Sequence, residues 1–564
     1  MEFRRPLSSF WLAAWALTLA LGWLLPNHYP PWSSFHFDAW VALVLLVGAA
    51  AVAMAPRVNV PTRWDALTVM VAVLVLVPGL QYYFGLVLFA GTAWVGTAYL
   101  LGFLLALLVG ARWELCGPGQ LADGLFLAIG VAAVLSVGMQ MHQFLQLTYD
   151  DWALWSMGPS VSRPHSNFGQ PNQLGTFLIW GLAATGWGLL RRHMRVPVAV
   201  MLALFLLFGV AMTQSRTSWL GLIACLGAIW MWRSVWPSRW VPASCTALFG
   251  IFLTYPAVLR WLSQVLLTGS DVGMLRVQFH EDTRLMMWRQ FIHAALEQPI
   301  FGFGWYQGSL AQLASAVDYP SLHGVYSHSH NLFLDLVLWC GIPGGLLIVA
   351  MLLAWFWRQL WAVRSAECAV LMLFLIAVGI HAMLELPLHY AYMLLPTGLV
   401  MGVLNTRHPG KTIVSTGRWV LVALWLASAV LLALVVRDYF RVEASYQVLR
   451  FEWARIKTKP EGPPDVMLLT QWREFVRYAR FDPGPGMTAE QLQWMRRVTS
   501  QFPSAGNFQK MAAALASNGQ PDEARSWLRK ACKMVSDSQC AALKAAWEDQ
   551  ALHDPRNAAV PWPN

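Results

Sequence analysis

Residues 326–345 read YSHSHNLFLDLVLWCGIPGG and place titratable side chains at the mouth of a long apolar run. His328 and His330 precede the run, Asp335 is the one carboxylate inside it, and the sequence GIPGG at 341–345 interrupts it. Polar, titratable groups at the mouth of a membrane helix are costly to keep there unless they are used. We therefore expect this stretch to be the functional centre of the chain.

The composition is that of an all-α, polytopic membrane protein. Of 564 residues, 57% are hydrophobic and only 12% are charged, which excludes an ordinary soluble globular protein. The 32 tryptophans fit extensive surface at membrane interfaces. The net charge of +10 is explained by arginines in cytoplasmic loops, so no nucleic-acid partner is expected. Seven cysteines show no metal-ligand spacing, and the sequence predicts no metal site.

Apolar runs long enough to cross a bilayer recur along the chain, and each needs about 17–25 residues. The N-terminal run follows Arg4 and Arg5, but its bulky end at 22–26 (GWLLP) is unlike a signal-peptide cleavage site, so we interpret it as the first membrane helix. About thirteen spans are predicted, near 10–26, 39–55, 66–84, 87–109, 121–141, 173–190, 196–213, 217–232, 243–267, 331–357, 366–386, 389–405 and 418–436.

The distribution of arginine and lysine predicts the orientation of these spans. With the N-terminus in the cytoplasm, alternate loops carry nearly all of the basic residues, as the positive-inside rule requires. These residues are Arg57, Arg63, Arg112, Arg191, Arg192, Arg195, Arg233, Arg239, Arg358, Arg364, Arg407, Lys411 and Arg418. The loops near 142–172 and 268–330 then lie outside, as does the chain from about Arg437 onward. In a Gram-negative cell this side is the periplasm, and the membrane is the inner membrane.

The C-terminal segment is polar and has no further span. We predict a membrane domain over 1–437 and a periplasmic helical domain over 438–564. Helices near 505–518 and after 519–524 (GQPDEA) resemble a little more than one tetratricopeptide-like unit. Cys532 and Cys540 lie in an oxidising compartment in this topology, where they either pair or stay free.

Several arginines lie on the outer side, against the charge rule. Arg216 is in TQSRTSW, Arg284 and Arg289 are in DTRLMMWRQ, and Arg163 and Arg276 lie in the two outer loops. Guanidinium groups match phosphate oxygens and stay charged when partly desolvated, so an anion site is one interpretation. Headgroup contact or an ion pair, such as Arg284 with Glu281 or Asp282, is the other. For Arg216, between two spans, we favour the anion site.

The remaining polar residues at the outer side also permit two interpretations. His328 and His330 are best explained as a general base, because no further metal ligands accompany them. Asp335, one turn below, either orients a neighbour or lines the bundle. Amides near the outer ends of spans either contact sugar hydroxyls or cap helices; they are Gln140, Asn167, Gln170 and Asn172.

Three motifs together, TQSRTSWLG, DTRLMMWRQFIHAALEQPIFGFGW and HSHNLFLDLVLWCGIPGG, resemble the superfamily of O-antigen ligases, O-antigen polymerases and bacterial protein O-oligosaccharyltransferases. NFGQPNQLG and the helical segment after the last span are most similar to the O-oligosaccharyltransferase branch. The resemblance covers roughly residues 140–405.

The resemblance implies a metal-independent, inverting transfer without a cofactor. Its donor would be a glycan on undecaprenyl pyrophosphate, and its acceptor a Ser or Thr hydroxyl of a periplasmic or pilin-like protein. Arg216 and Arg284 would bind the pyrophosphate, and His330 or His328 would take the acceptor proton. Arg163, Arg289, Asn331 and the amides near 140–172 are further candidates for glycan or acceptor contacts.

Three alternatives stay open at this stage. An O-antigen ligase would use lipid A-core as acceptor, although the long C-terminal segment disfavours it, and a polymerase is a third possibility. A lipid-linked glycan transporter would instead place charged or broken segments near the bilayer midplane. The polar residues gather at one face, which favours an enzyme.

Overall fold

A computed structural model describes residues 8–53, 61–147, 155–158, 163–266, 268, 283–457 and 462–563. These residues are mostly helical. The first helices are α1 Ser9–Gly22, α2 Phe35–Ala53, α3 Ala66–Leu74, α4 Val77–Tyr83, α5 Ala90–Cys116, α6 Gln120–Phe144, α7 Pro171–Leu190, α8 Val196–Met212, α9 Arg216–Met231, α10 Val241–Phe252, α11 Tyr255–Val265, α12 Thr283–Glu297 and α13 Gly308–Ser315. They are followed by α14 Leu332–Ala362, α15 Ala366–Ala382, α16 Ala391–Arg407, α17 Arg418–Trp453, α18 Thr470–Arg480, α19 Ala489–Gln501, α20 Ala505–Ser517, α21 Pro521–Met534, α22 Asp537–His553 and α23 Pro555–Ala558.

Eight helical stretches in the described part of the chain are long and apolar enough to cross a membrane. They are Phe35–Ala53, Ala66–Tyr83, Ala90–Cys116, Gln120–Phe144, Pro171–Leu190, Val241–Val265, Leu332–Ala362 and Arg418–Trp453. Four shorter apolar helices, α1, α8, α9 and α15, also coincide with predicted spans. The all-α membrane class is therefore confirmed, while the count of thirteen crossings stays a prediction.

One feature that the sequence analysis did not predict is a short antiparallel pair of strands. β1 (Thr62–Trp64) pairs with β2 (Val414–Thr416), and Arg63 lies opposite Ser415. The Trp64 indole also donates to the Thr416 hydroxyl at 2.8 Å. The two strands tie a loop after α2 to the loop before α17.

The helices form two compact units, and the first comprises residues 1–72, 99–277 and 351–432. Its core is built by α6, α7, α9 and α15, where Trp180 stacks on Phe374 with ring centroids 3.8 Å apart. Small residues allow close helix approach: a Cβ on Gly181 would lie 2.7 Å from Ala133. At one end, Arg191 pairs with Asp123 at 3.0 Å and Arg407 pairs with Glu114 at 2.9 Å.

The second unit comprises residues 73–98, 278–350 and 433–564. Its C-terminal helices build most of one buried cluster, and Phe89, Leu313 and Ala316 are buried in the same cluster as residues of α19–α22. The Arg497 guanidinium donates to the Leu88 carbonyl and lies over the Phe89 ring. The helices near 505–518 and after 519–524 are present as α20 and α21. The predicted domain boundary at 437/438 stays a prediction.

Candidate functional site

The two histidines lie in a tight turn that is fixed by hydrogen bonds on both sides of Ser329. The Ser329 N–H donates to the Asp335 carboxylate at 2.7 Å, and Ser329 and Asp335 are 0% and 1% exposed. The Trp288 indole of α12 donates to the Ser329 carbonyl at 2.9 Å. Asp335 therefore orients the turn, which was one of its two predicted roles.

The geometry of the turn brings the imidazoles of His328 and His330 together. Their ring centroids are 4.4 Å apart with planes 80° to each other, and the Tyr326 ring is 5.8 Å from His330. His330 has φ 55°, in the left-handed region that non-glycine residues seldom occupy. Such strain persists only when neighbours over-determine it, and it is concentrated at functional sites. Both side chains are half-buried.

Asn331 begins α14 as its cap. Its side-chain oxygen accepts from the Phe333 and Leu334 N–H groups at 3.0 and 3.1 Å, and its carbonyl accepts from the Asp335 N–H. This satisfies donors that the first turn of a helix otherwise leaves open. The helix therefore starts at the residue that directly follows His330.

A kink in α14 allows the helix to bond to the end of α12. Gly341 has φ 75° and ψ 170° inside the helix. At this point Ile342 N–H donates to the Pro299 carbonyl at 2.7 Å, and Phe303 N–H donates to Leu338 at the same distance. The end of α12 is thereby joined to α14. Helix α12 also carries Arg284, which is half-buried, and Arg289, which is exposed.

Arg216 belongs to the other compact unit, where it is the first residue of α9 and is exposed. Ser215 caps this helix by accepting from the Ser218 N–H at 3.1 Å. The turn is packed closely, because a Cβ on Gly175 would lie 2.0 Å from the Ser218 hydroxyl. An exposed guanidinium on a rigid helix start is suited to binding an anion.

Arg163 and Asn172 form a hydrogen-bonded relay that connects the backbone just before that turn to a buried carboxylate. The Arg163 Nε donates to the Thr213 carbonyl at 2.9 Å, and Nη2 donates to the Asn172 side chain at 3.0 Å. Asn172 in turn donates to the Glu385 carboxylate at 3.1 Å, and Glu385 is only 7% exposed. The sequence analysis missed Glu385, although an acid in the nearly charge-free stretch 365–405 was a usable signal.

The other predicted amides contact the chain itself. Gln140 is 0% exposed and donates to the Pro164 and Gly209 carbonyls. Asn167, also 0% exposed, donates to Leu24 and Trp155. Gln170 caps α7 by accepting from the Gln173 N–H. Gln170 therefore matches the capping interpretation, whereas Gln140 and Asn167 hold backbone carbonyls, a role that was not predicted. Glycan contact by the three side chains stays a prediction.

Two histidines that were not singled out brace the segment around Asn167. His28 Nε2 lies 2.5 Å from the Asn167 carbonyl, and His165 Nδ1 lies 2.9 Å from that of Ser166. Burial lowers the pKa of His28 and the pKa of His165 below their usual value. Both imidazoles are therefore held neutral near pH 7.

A further cluster lies on α12 and the short helix that follows α13. His293, Glu297 and Asp318 present ligand atoms within 4.8 Å of one another. The Lys530 ammonium interacts electrostatically with both carboxylates. The two acids thus already have a cation from the protein, and the cluster is not one that the sequence analysis predicted. Arg276, Glu281 and Asp282 lie outside the described residues.

Comparison with protein families identifies three matching regions. Residues 200–349 match the family described as O-Antigen ligase, and 166–187 match Protein glycosylation ligase. Residues 369–550 match Virulence factor membrane-bound polymerase, C-terminal. These regions include the Arg216 turn, the α12 arginines, the histidine turn and most of the C-terminal helices.

Two curated relatives cover larger parts of the chain. A "General O-oligosaccharyltransferase" of Acinetobacter baylyi is 30% identical over 532 residues, which is 90% of each chain. A "ComP-specific O-oligosaccharyltransferase" of the same organism is 24% identical over 355 residues, which is 61% of each chain. The similarity to the first relative extends across both compact units.

Proposed function

Because the chain belongs to the O-oligosaccharyltransferase branch of the O-antigen ligase superfamily, we propose that it transfers a glycan en bloc from undecaprenyl pyrophosphate to Ser or Thr hydroxyls of periplasmic or pilin-like proteins. It is a glycosyltransferase-type enzyme, and its product is a glycosylated protein. The observation that carries this proposal is the identity of 30% over nine-tenths of a general O-oligosaccharyltransferase.

The histidine turn supplies the base in this reaction. The acceptor hydroxyl oxygen attacks the anomeric carbon, the bond from that carbon to the pyrophosphate oxygen breaks, and the hydroxyl proton passes to an imidazole nitrogen. We assign this role to His330, whose strained backbone is fixed by its neighbours, with His328 as its partner in the ring pair. The electron pair leaves with undecaprenyl pyrophosphate, and the configuration inverts.

The leaving group needs neutralisation of its charge more than it needs an acid. We assign pyrophosphate binding to Arg216 and Arg284, with Arg289 contacting the glycan or the acceptor. Arg163 and Asn172 support this function through the relay to the Thr213 carbonyl. Asn331, Gln140, Asn167 and Gln170 each hold the backbone of their own segment, and contact with the glycan or the acceptor is the further role that we assign to them.

The proposed setting is the inner membrane of a Gram-negative cell, with about thirteen crossings. The loop near 268–330 and a tetratricopeptide-like domain over 438–564 face the periplasm, together with the active site. Membrane lipids and a pilin-like acceptor are the expected partners, and the reaction uses no metal or cofactor.

An O-antigen ligase is the second candidate, because residues 200–349 match the family of that description. The two functions share the donor and differ only in the acceptor. A transporter of lipid-linked glycan would need neither His330 nor a hydroxyl acceptor.

The test is transfer in a cell supplied with a lipid-linked oligosaccharide and a candidate pilin. We expect modified pilin from the wild-type chain, and loss of modification in Arg216→Ala, Arg284→Ala and His330→Ala at equal membrane expression. The exposed residues Arg455 and His553 supply the matched controls Arg455→Ala and His553→Ala, which should keep full activity.

Each other outcome selects a different function. Bare pilin with glycan on lipid A-core would establish the ligase. If neither the pilin nor lipid A-core gains glycan while glycan moves across the membrane, the protein is the transporter. If His328→Ala abolishes transfer while His330→Ala keeps it, the base is His328.

A further inference from the structure

The segment that leads into the histidine turn, residues 319–326 (the lead segment), is held on one side by α13. Gln312, which is 0% exposed, donates its amide to the Gly324 carbonyl at 2.8 Å. Its oxygen accepts from the Tyr326 N–H at 2.7 Å. One buried side chain thus fixes the end of the lead segment that lies two residues before His328.

The other side of the lead segment is held by the junction of α21 and α22. The Ser321 hydroxyl donates to the Lys533 carbonyl at 3.2 Å and accepts from the His323 N–H at 3.0 Å. His323 Nδ1–H donates to the Asp537 carboxylate at 2.8 Å. His323 has φ 55°, so its backbone adopts a conformation that needs outside support.

A disulfide closes the junction that makes these contacts. Cys532 in α21 and Cys540 in α22 are paired, with Cα atoms 5.0 Å apart. Both contact points, the Lys533 carbonyl and Asp537, lie inside the ring that the disulfide closes. We call residues 532–540 the hairpin clamp.

The helices around the clamp are held together without the disulfide. Leu528 and Trp547 are buried in the shared core of the second unit, and Ser536 caps α22 through a capping box with Gln539. The disulfide is therefore not needed to retain α21 and α22. What it restricts is the relative position of the Lys533 carbonyl and Asp537, which are the atoms that contact the lead segment.

Resting on the proposed function, we propose that His323 and Asp537 are positioning residues for glycan transfer, and that the Cys532–Cys540 disulfide sets the hairpin clamp that holds them. Only four residues separate His323 from His328, and Gln312 transmits the position of the segment to the turn. Displacement of a catalytic group by about 1 Å can cost up to about a hundredfold in rate. Transfer thus depends on a contact that the Cys532–Cys540 disulfide holds in place.

The experiment measures transfer by purified full-length protein to a pilin that the wild-type chain modifies, with lipid-linked oligosaccharide as donor. We expect His323→Ala to lower kcat about tenfold, with KM for the donor and Tm unchanged. His323→Asn keeps an N–H at the same place and tolerates positive φ, so it should restore most of the rate. Cys532→Ser/Cys540→Ser should lower kcat to the same degree.

Two comparisons separate positioning from simple stabilisation. Adding His323→Ala to the paired serine variant should lower kcat no further, because both act through one contact. Arg556→Ala removes an exposed ion pair with Asp554 in the same helical region and should change nothing. If the serine variant fails to insert, reduction of the purified wild-type protein replaces it.

The proposal is overturned if kcat survives loss of the disulfide, if the two losses multiply, or if they follow a fall in Tm that His323→Asn does not reverse. Absence of transfer by the wild-type chain to every acceptor tried would instead overturn the proposed function. The two failures are therefore distinguishable.

Discussion

Substitution of Gly341 by alanine tests whether the kink in α14 positions the histidine turn. Gly341 has φ 75°, and a Cβ there would lie 2.1 Å from the Ile300 carbonyl oxygen. Carbon–oxygen contacts are normally about 3.3 Å or longer, so the two backbones must separate by about 1 Å. This combination of φ and ψ is essentially confined to glycine and costs about 1–3 kcal/mol for other residues. Loss of the bond from Ile342 N–H to the Pro299 carbonyl adds about 1 kcal/mol.

The total of about 2–4 kcal/mol destabilises the contact between α12 and α14. The part of α14 that precedes the kink, residues 332–340, begins next to the histidines. Helix α12 carries Trp288, which bonds to the same turn. A shift of about 1 Å should therefore lower kcat about ten- to a hundredfold. Transfer to a modified pilin and thermal unfolding in detergent measure the two effects.

The matched control is Gly379→Ala in α15. A Cβ at Gly379 meets no atom within 4 Å, so this variant should keep the activity and stability of the wild-type protein. If Gly341→Ala retains kcat and Tm within the range of Gly379→Ala, then the kink does not position the turn, and the reasoning is refuted.

Three more outcomes follow from the contacts. Lys510 Nζ donates to the Tyr478, Ala479 and Phe481 carbonyls at the end of α18. Lys510→Met should therefore destabilise the C-terminal helices by about 2 kcal/mol and lower Tm, whereas Lys544→Met, at an exposed position, should leave Tm unchanged. Burial lowers the pKa of His28 and His165, so the unfolded state binds more protons below about pH 6.5 and stability falls as pH drops through that value. Hydrogen exchange at 163–168, divided by the rate of the unstructured chain at the same pH, should rise in acid, and an unchanged ratio down to pH 5 would contradict this sign. In Arg163→Lys the lysine cannot make both the Thr213 and Asn172 contacts, so this variant should raise KM for the donor severalfold. An unchanged KM would show that the relay does not contribute to donor binding.

The amino-acid pattern predicted helix positions well, because apolar run length is a direct requirement of the bilayer. Each predicted span coincides with a helix, and breaks appear inside two of them, at 75–76 and 253–254. The helices α20 and α21 were likewise predicted from a local turn signal. The pairing of Cys532 with Cys540, left open at first, is present. These features depend on neighbouring residues in sequence.

The amides show where sequence reasoning stopped. Gln140, Asn167 and Asn172 were recognised as polar residues at one face, but a single sequence does not reveal whether such a side chain faces a ligand or a carbonyl of its own chain. The structure gives them backbone carbonyls, Arg163 and Glu385 as partners. Buried polar groups require such partners, and here most of the partners come from loops and turns elsewhere in the chain.

The membrane class, the order of the helices and the motifs that identify the family can be recognised in the sequence alone, because hydropathy and short motifs are local properties. How the histidine turn is fixed depends on tertiary packing. Trp288 and the Pro299 carbonyl lie in and directly after α12, Gln312 lies in α13, and the hairpin clamp joins α21 to α22. These three regions contact the segment 319–342 only after packing. Their contacts are long-range hydrogen bonds and close backbone approaches, which depend on three-dimensional position and leave no periodic pattern in the chain.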